Sequence, residues 1–388
     1  MQGDFSRSMD ELVNTSHRYG GDPAYVLAGG GNTSVKTPDR LWVKASGHAL
    51  ADIGPNGFVE LDRHALQAML EATWPADAAA REAQFIASVM AARIQPELGQ
   101  RPSVEALLHH ILPGKLVVHT HPGKINALTC STQGRLLAQS LFGDDVMWQP
   151  YVDPGLTLAK SLSDSLADHA ARVGRPPKAI LLANHGLIVS GESAAAIAEI
   201  SDELMSRIEA RLVESPLSYA PPASSAGLLS SYADAFAALR NELHCVTDAS
   251  APILNLLASP AVRDAALAGP LTPDQIVYCR SIPLWIDATS NDPAAQCREL
   301  WEAYVTRTGF EPWVALIGGA GMVTMRESQK LAEVTRSIFA DAASVYRDAA
   351  RLGGIAVMSD RDRSFIEGWE VEAYRRSVMS RSSAATTH

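Results

Sequence analysis

The sequence predicts an α/β protein built as two domains, the second smaller than the first. Three observations lead there. The chain has 388 residues, 47% of them hydrophobic, enough for a large core and more than one domain's usual length. Segments with strand and helix periodicity alternate along it instead of collecting in separate blocks. The stretch SPLSYAPPASSAG has the Pro and Ser content of a linker. It divides a domain at 1–216 from one at 228–388, with the linker at 217–227.

Taken in order, YVLAGGGNTSVKTPDRLWVKASG (25–47) reads as two short strands joined by turn residues, the first opening onto a glycine-rich loop. Helical periodicity follows at 64–72 and 77–95. PSVEALLHHI begins a further helix at Pro102 and Ser103, with Glu105 in its first turn, where the helix dipole favours a negative charge. Gly114 ends that helix and KLVVHTH starts a strand. A strand at 146–151 and a helix from 156 to 172 come next. AILLANHGLIVSG (179–191) reads as two strands turned at Asn184 to Gly186, and 193–214 as a long amphipathic helix. Beyond the linker, PLWIDA and PWVALIGG are strands, and 293–308 and 327–350 are helices. IGGAGMVTM is a strand, a tight glycine turn and a second apolar stretch; it lacks the third glycine and the helix opening of a dinucleotide fingerprint. No internal repeat is evident.

Composition narrows the function. A formal net charge of −10 without a basic run argues against nucleic-acid or anionic-membrane partners and for a small ligand. Cys130, Cys245, Cys279 and Cys297 form no CxxC pair and are too few for a disulfide scaffold, which fits a reducing compartment. With no signal-peptide pattern and no apolar run of membrane-spanning length, a cytoplasmic protein is expected.

The chemistry concentrates on histidines. In an extended strand His119 and His121 share a face, with Thr120 opposite. The pair alone suits core packing as well as ligation. His185, between turn formers and two apolar segments, is a third candidate, and three imidazoles with an open position describe a catalytic zinc site, which cobalt or manganese could also occupy. Glu105, on a helix that runs directly into the histidine strand, is the candidate base; by itself it is also an ordinary helix-start glutamate. GGGNTS (Gly29 to Ser34, with Gly31 and Asn32) and KASG (Lys44 to Gly47, with Ser46) are candidate anion-binding loops, to which Ser103 adds a hydroxyl.

The order GGGNTSVK, WVKASG, PSVEALLHH, VVHTHP and NHGLIVSG resembles the class II aldolase/adducin family over about 20–215. The longer pattern, with GPLTPDQIVYCRSIPLW and FIEGWEVEAYRR, is similar to the aldolase half of bifunctional rhamnulose-phosphate aldolase/lactaldehyde dehydrogenases, up to about residue 376 and without the dehydrogenase module. The resemblance implies an α/β/α sandwich around a mixed, largely antiparallel sheet, a divalent metal held by His119, His121 and His185, and Glu105 as catalytic acid/base. It places Asn32, Ser46, Gly47 and Ser103 on the substrate phosphate. Tyr151 falls where one branch donates a tyrosine across a subunit boundary in a homo-oligomer, a tetramer in that branch. The implied reaction is cleavage of a ketose 1-phosphate, L-rhamnulose 1-phosphate first, to dihydroxyacetone phosphate and L-lactaldehyde in rhamnose catabolism. Glutamate at 105 favours cleavage over the family's 4-epimerisation, which uses aspartate there, and adducin-type modules lack the histidines. Ser103-Val104 replaces a Ser-Ser pair and removes one hydroxyl, which keeps a sugar-acid aldolase or decarboxylase open.

Overall fold

The computed structural model describes residues 2–215, 225–240 and 243–369, so most of the expected linker and the last part of FIEGWEVEAYRR lie outside the described residues. The chain forms two compact units. The first comprises Met1–Ile125 and Arg135–Ile208; the second comprises Asn126–Gly134 and Glu209–His388.

The elements of the first unit, in chain order, are α1 (Gln2–Gly20), β1 (Asn32–Lys36), β2 (Arg40–Lys44), β3 (Phe58–Asp62), α2 (Arg63–Glu71), α3 (Ala78–Ala91), α4 (Ala106–Ile111) and β4 (Leu116–Thr120). There follow α5 (Gly123–Thr129), α6 (Gly134–Phe142), β5 (Val146–Gln149), α7 (Leu156–Val173), β6 (Ala179–Leu182), β7 (Gly186–Gly191) and α8 (Ala194–Val213), of which α5, α6 and α8 cross a unit boundary. Among the described residues the strands make a seven-stranded sheet in the order β3-β2-β1-β4-β7-β6-β5. All its neighbours are antiparallel except β5 and β6. This is the mixed, largely antiparallel sheet expected.

Helices cover both faces, which explains why β6 is apolar without alternation and why β4 and β6 are buried at every position. On one face Leu66, Phe85, Leu107 and Leu158, from α2, α3, α4 and α7, pack with Val43, Val117 and Ile180 of the sheet. β1 shows how successive side chains divide between the layers. Thr33 meets Ser16 of α1 at 2.7 Å, while Ser34 meets His109 of α4 at 2.7 Å. One expectation fails here. Tyr25–Ala28 is not a strand but a turn, Val26 donating its N–H to the Asp22 carbonyl, and β1 begins only after the glycines.

α4 is short, and buried Lys36 secures its end by donating to the carbonyls of His109, at 2.9 Å, and of Leu112. Burial, then the nearby Arg63, lowers Lys36 from 10.5 to about 7, with Glu192 opposing. Between about pH 7 and 10.5 the unfolded chain therefore binds a proton that the native one has lost, so this group makes stability rise with pH across that window. Lys36→Met should remove that rise. Its melting temperature should fall progressively further behind the wild type between pH 7 and 10, measured by calorimetry; a constant gap would exclude a depressed Lys36.

The second unit adds α9 (Ala226–Leu239), β8 (His244–Asp248), α10 (Ala251–Ala258), α11 (Pro260–Ala268), α12 (Pro273–Cys279), β9 (Leu284–Ile286), α13 (Pro293–Thr308), β10 (Val314–Ile317), β11 (Gly321–Arg326), α14 (Gln329–Arg351) and α15 (Asp360–Gly368). Thr272 caps α12 by accepting the Gln275 N–H while Gln275 accepts the Leu271 N–H, a reciprocal arrangement that accounts for much of the GPLTPDQ motif. The four strands run β8-β11-β10-β9. Here the structure corrects the sequence reading that found no repeat. β8, β11, β10 and β9 have the order and the parallel or antiparallel signs of β4, β7, β6 and β5. The helices fall in step as well: α9 precedes β8 as α4 precedes β4, α13 corresponds to α7, and α14 to α8. Among the described residues no helix is long and apolar enough to cross a membrane.

Candidate metal centre

β4 lies between β1 and β7 in the first unit's sheet and carries His119 next to its end, with His121 one residue beyond it. His121 is tied in place by its N–H on the Tyr25 carbonyl, at 3.2 Å. His185 stands in the turn between β6 and β7, where Asn184 takes a positive φ of 52° and Gly186 reopens the strand. That glycine is required for clearance. A Cβ on it would stand 2.5 Å from the Thr120 carbonyl oxygen and 2.7 Å from Cδ2 of His121. Sequence reasoning read Gly186 only as a turn former; its place directly after His185 was the available signal.

Three Nε2 atoms converge. Those of His121 and His185 lie 3.2 and 3.3 Å from Nε2 of His119. Nδ1 of His119 is 2.9 Å from the Leu187 carbonyl, which can only accept, so Nδ1 carries the proton and Nε2 presents its lone pair. Glu105 Oε1 is 3.3 Å from Nε2 of His119 and 3.7 Å from Nε2 of His185. Lone pairs and a carboxylate directed at one small volume repel one another unless a positive charge sits among them. Three imidazoles can each offer one nitrogen, with Glu105 beside them 8% exposed and His119 1% exposed, so the set fits a divalent cation. Burial raises the Glu105 carboxyl; when the facing imidazoles are protonated, the positive charge of His119, then of His185 and His121, outweighs it and holds the carboxyl well below the usual range.

Glu105 occupies the N-cap position of α4, not its first turn, and makes no capping bond with its side chain. Its N–H donates to Ser103 Oγ at 3.1 Å, and its carbonyl accepts from the His109 N–H. This leaves the carboxylate turned toward the imidazoles and not toward the helix dipole. Asn32 pairs directly with His119 across β1 and β4, and its buried Oδ1 has no hydrogen-bond partner among the described residues. Gly31, at φ 73°, lets the chain approach β4: a Cβ there would lie 3.1 Å from the His119 carbonyl oxygen. Ser46 and Gly47 are joined to the segment before Glu105 by an Ala45–Pro102 bridge and by the Ser46 N–H on the Arg101 carbonyl, at 2.9 Å. The two candidate loops and Ser103 are thus linked to the triad through β1 and this bridge.

Tyr151 follows β5, the edge strand, three strands from β4; the end of β5 pairs with the end of β6, Gln149 with Leu182, and β6 leads into the turn that carries His185.

The family model for the class II aldolase and adducin N-terminal domain matches residues 10–212, and that for the aldolase class II second domain matches 225–375. A Bacillus subtilis (strain 168) protein described as the uncharacterized oxidoreductase YuxG is 27% identical over 414 residues, covering 95% of this chain; the chain spans 58% of that relative's length. Among solved structures, the N-terminal class II aldolase domain of a conserved Thermoplasma acidophilum protein is 30% identical, with a TM-score of 0.45, over 52% of this chain and 92% of that one. The L-fuculose-1-phosphate aldolase of Thermus thermophilus is 18% identical, with a TM-score of 0.35, over 54% and 97%. With the histidine triad in place and the first model spanning more than half of its length, this chain belongs to the class II aldolase and adducin family.

Proposed function

We propose that the chain carries out metal-assisted aldol cleavage of a ketose 1-phosphate, with L-rhamnulose 1-phosphate yielding dihydroxyacetone phosphate and L-lactaldehyde as the leading substrate. Family membership supports a metal-dependent aldolase-type reaction. The observation that carries the reading is a buried carboxylate, Glu105, 3.3 Å from one of three converging imidazoles. A divalent ion at His119, His121 and His185, zinc before cobalt or manganese, would supply Lewis-acid stabilisation of the charge that collects on the substrate carbonyl oxygen.

The remaining work falls to the protein's own groups. In the synthetic direction Glu105, ionised in this setting, removes a proton from the hydroxymethyl carbon of dihydroxyacetone phosphate; in cleavage the same carboxyl returns it. Asn32, Ser46, Gly47 and Ser103 hold the phosphate end, with Gly31 keeping the loop close to β4. His119 Nδ1 keeps its proton and donates it to the Leu187 carbonyl throughout, which fixes the ring's orientation. Release of dihydroxyacetone phosphate from L-rhamnulose 1-phosphate by zinc-loaded protein, read by coupled NADH oxidation, tests this; no release from protein shown to hold its metal rejects that substrate.

The 4-hydroxyl proton needs its own acceptor. In this reading Tyr151, offered by a second copy of the chain in a homo-oligomer, takes that role. Mixing inactive Tyr151→Phe and Glu105→Gln proteins should then restore part of the activity through hybrid oligomers. No recovery despite demonstrated subunit exchange removes Tyr151 from the mechanism. A second reading has its own support: Val104, 7% exposed and apolar, stands beside Ser103 where a second hydroxyl would serve a phosphate. A sugar acid would need that hydroxyl less, and carbon dioxide release from such an acid would favour decarboxylation.

A further inference from the structure

The equivalence of the two sheets extends to single residues. In the β6–β7 hairpin Ala179 pairs with Val189 and Leu182 with Gly186; in β10–β11 Val314 pairs with Thr324 and Ile317 with Gly321. Both hairpins close through three residues, Ala183, Asn184 and His185 in one and Gly318, Gly319 and Ala320 in the other. The middle residue has a positive φ in both, 52° at Asn184 and 72° at Gly319. His185 therefore corresponds to Ala320.

The next ladder gives the other two positions. Ile188 of β7 pairs with His119, and its counterpart Val323 pairs with Thr247. Leu187 pairs with Thr120, and Met322 with Asp248. His119 thus corresponds to Thr247, and His121, two residues on, to Ala249. Trp148, opposite Leu181, even has a tryptophan at its counterpart, Trp285 opposite Leu316.

The glycine after each turn shows what fills the space. A Cβ on Gly321 would stand 2.5 Å from the Asp248 carbonyl oxygen, as one on Gly186 would from that of Thr120. Beside it, where His121 Cδ2 lies in the first unit, is Leu229 Cδ2 at 2.9 Å. Leu229, Ala320, Tyr232 and Val323 belong to one buried apolar cluster. Apolar carbon stands at the positions of His121 and His185, while Thr247, the counterpart of His119, is exposed on the edge strand β8.

We infer that the second unit is a duplicate of the metal-bearing half of the first that keeps none of the three ligands and has packed carbon at two of their positions, so that each chain carries one cation site. This rests on the metal assignment above, and two measurements separate the two ideas. Full-length protein loaded with zinc and desalted should hold one ion per chain by elemental analysis, and a variant lacking His119, His121 and His185 should hold none. Two ions in the wild type, or one remaining in the variant, would overturn the single site. The second measurement needs no metal. Ala320→His places a ring against Leu229, so its melting temperature should fall by several degrees, and adding Leu229→Ala should recover part of the loss. A neutral Ala320→His would show the position open and overturn the inference. Wild-type protein without any ion would reject the metal assignment, and the melting pair would still decide the duplicate.

Discussion

Glu105→Gln protein is expected to keep its metal and lose about 10³-fold or more of its turnover, in line with the 10²–10⁴-fold worth of a positioned proton-transfer group. The substitution preserves shape and the backbone bonds to Ser103 and His109 while deleting the only carboxylate gathered at the triad among the described residues. A second readout isolates the proton step from carbon–carbon cleavage. Wild-type protein should exchange a hydroxymethyl hydrogen of dihydroxyacetone phosphate with deuterium from solvent, visible by NMR without any aldehyde present, and the variant should not. A variant that exchanges at the wild-type rate would remove Glu105 from the mechanism, whatever its effect on cleavage.

His185→Ala should be comparably severe by a different route. With one of three imidazoles gone, metal affinity should fall by at least about 10²-fold, since even groups that only support a ligand cost 10–100-fold. Elemental analysis after dialysis should then find the protein nearly empty, and added zinc should restore little activity. Unchanged metal content would refute the assignment of His185. The turn itself should survive, because its conformation is set by Asn184 and Gly186 and not by the ring between them.

The site was legible to the extent that chemistry depends on residue type and short spacing. His119 and His121 share a face because strand geometry leaves them no alternative, and His185 announces itself by sitting between turn formers. Less of Glu105 could be read. Its helix starts one residue after it, so the dipole explanation offered by the sequence does not describe where the carboxylate points. Strand order was not legible, because it is decided by pairings that local sequence does not encode: the strand before Tyr151 reads as a strand, but not as the sheet's edge.

The repeat escaped notice for a related reason. AILL and VALI, or the first four residues of GLIVSG and GMVTMR, share burial and register and few identities, since both faces of each strand there need little beyond bulk. Much of α10, α12 and the start of the second unit went unread because helices buried on most sides, such as APILNLLA, lack the polar stripe that marks an amphipathic period.

The division of the chain carries a practical consequence. Asn126–Gly134 belongs to the second unit, where Ser131 Oγ donates to the Leu352 carbonyl, the Thr132 N–H to that of Gly354, and the Ala356 N–H to that of Cys130. The two units are interleaved in sequence, so no single scission separates one cleanly from the other. An expression clone ending in the Pro- and Ser-rich stretch would strand nine residues immediately after the histidine strand without Leu352, Gly354 or Ala356. Truncating this protein at its most linker-like segment would therefore deprive Asn126–Gly134 of partners that lie more than two hundred residues further along the chain.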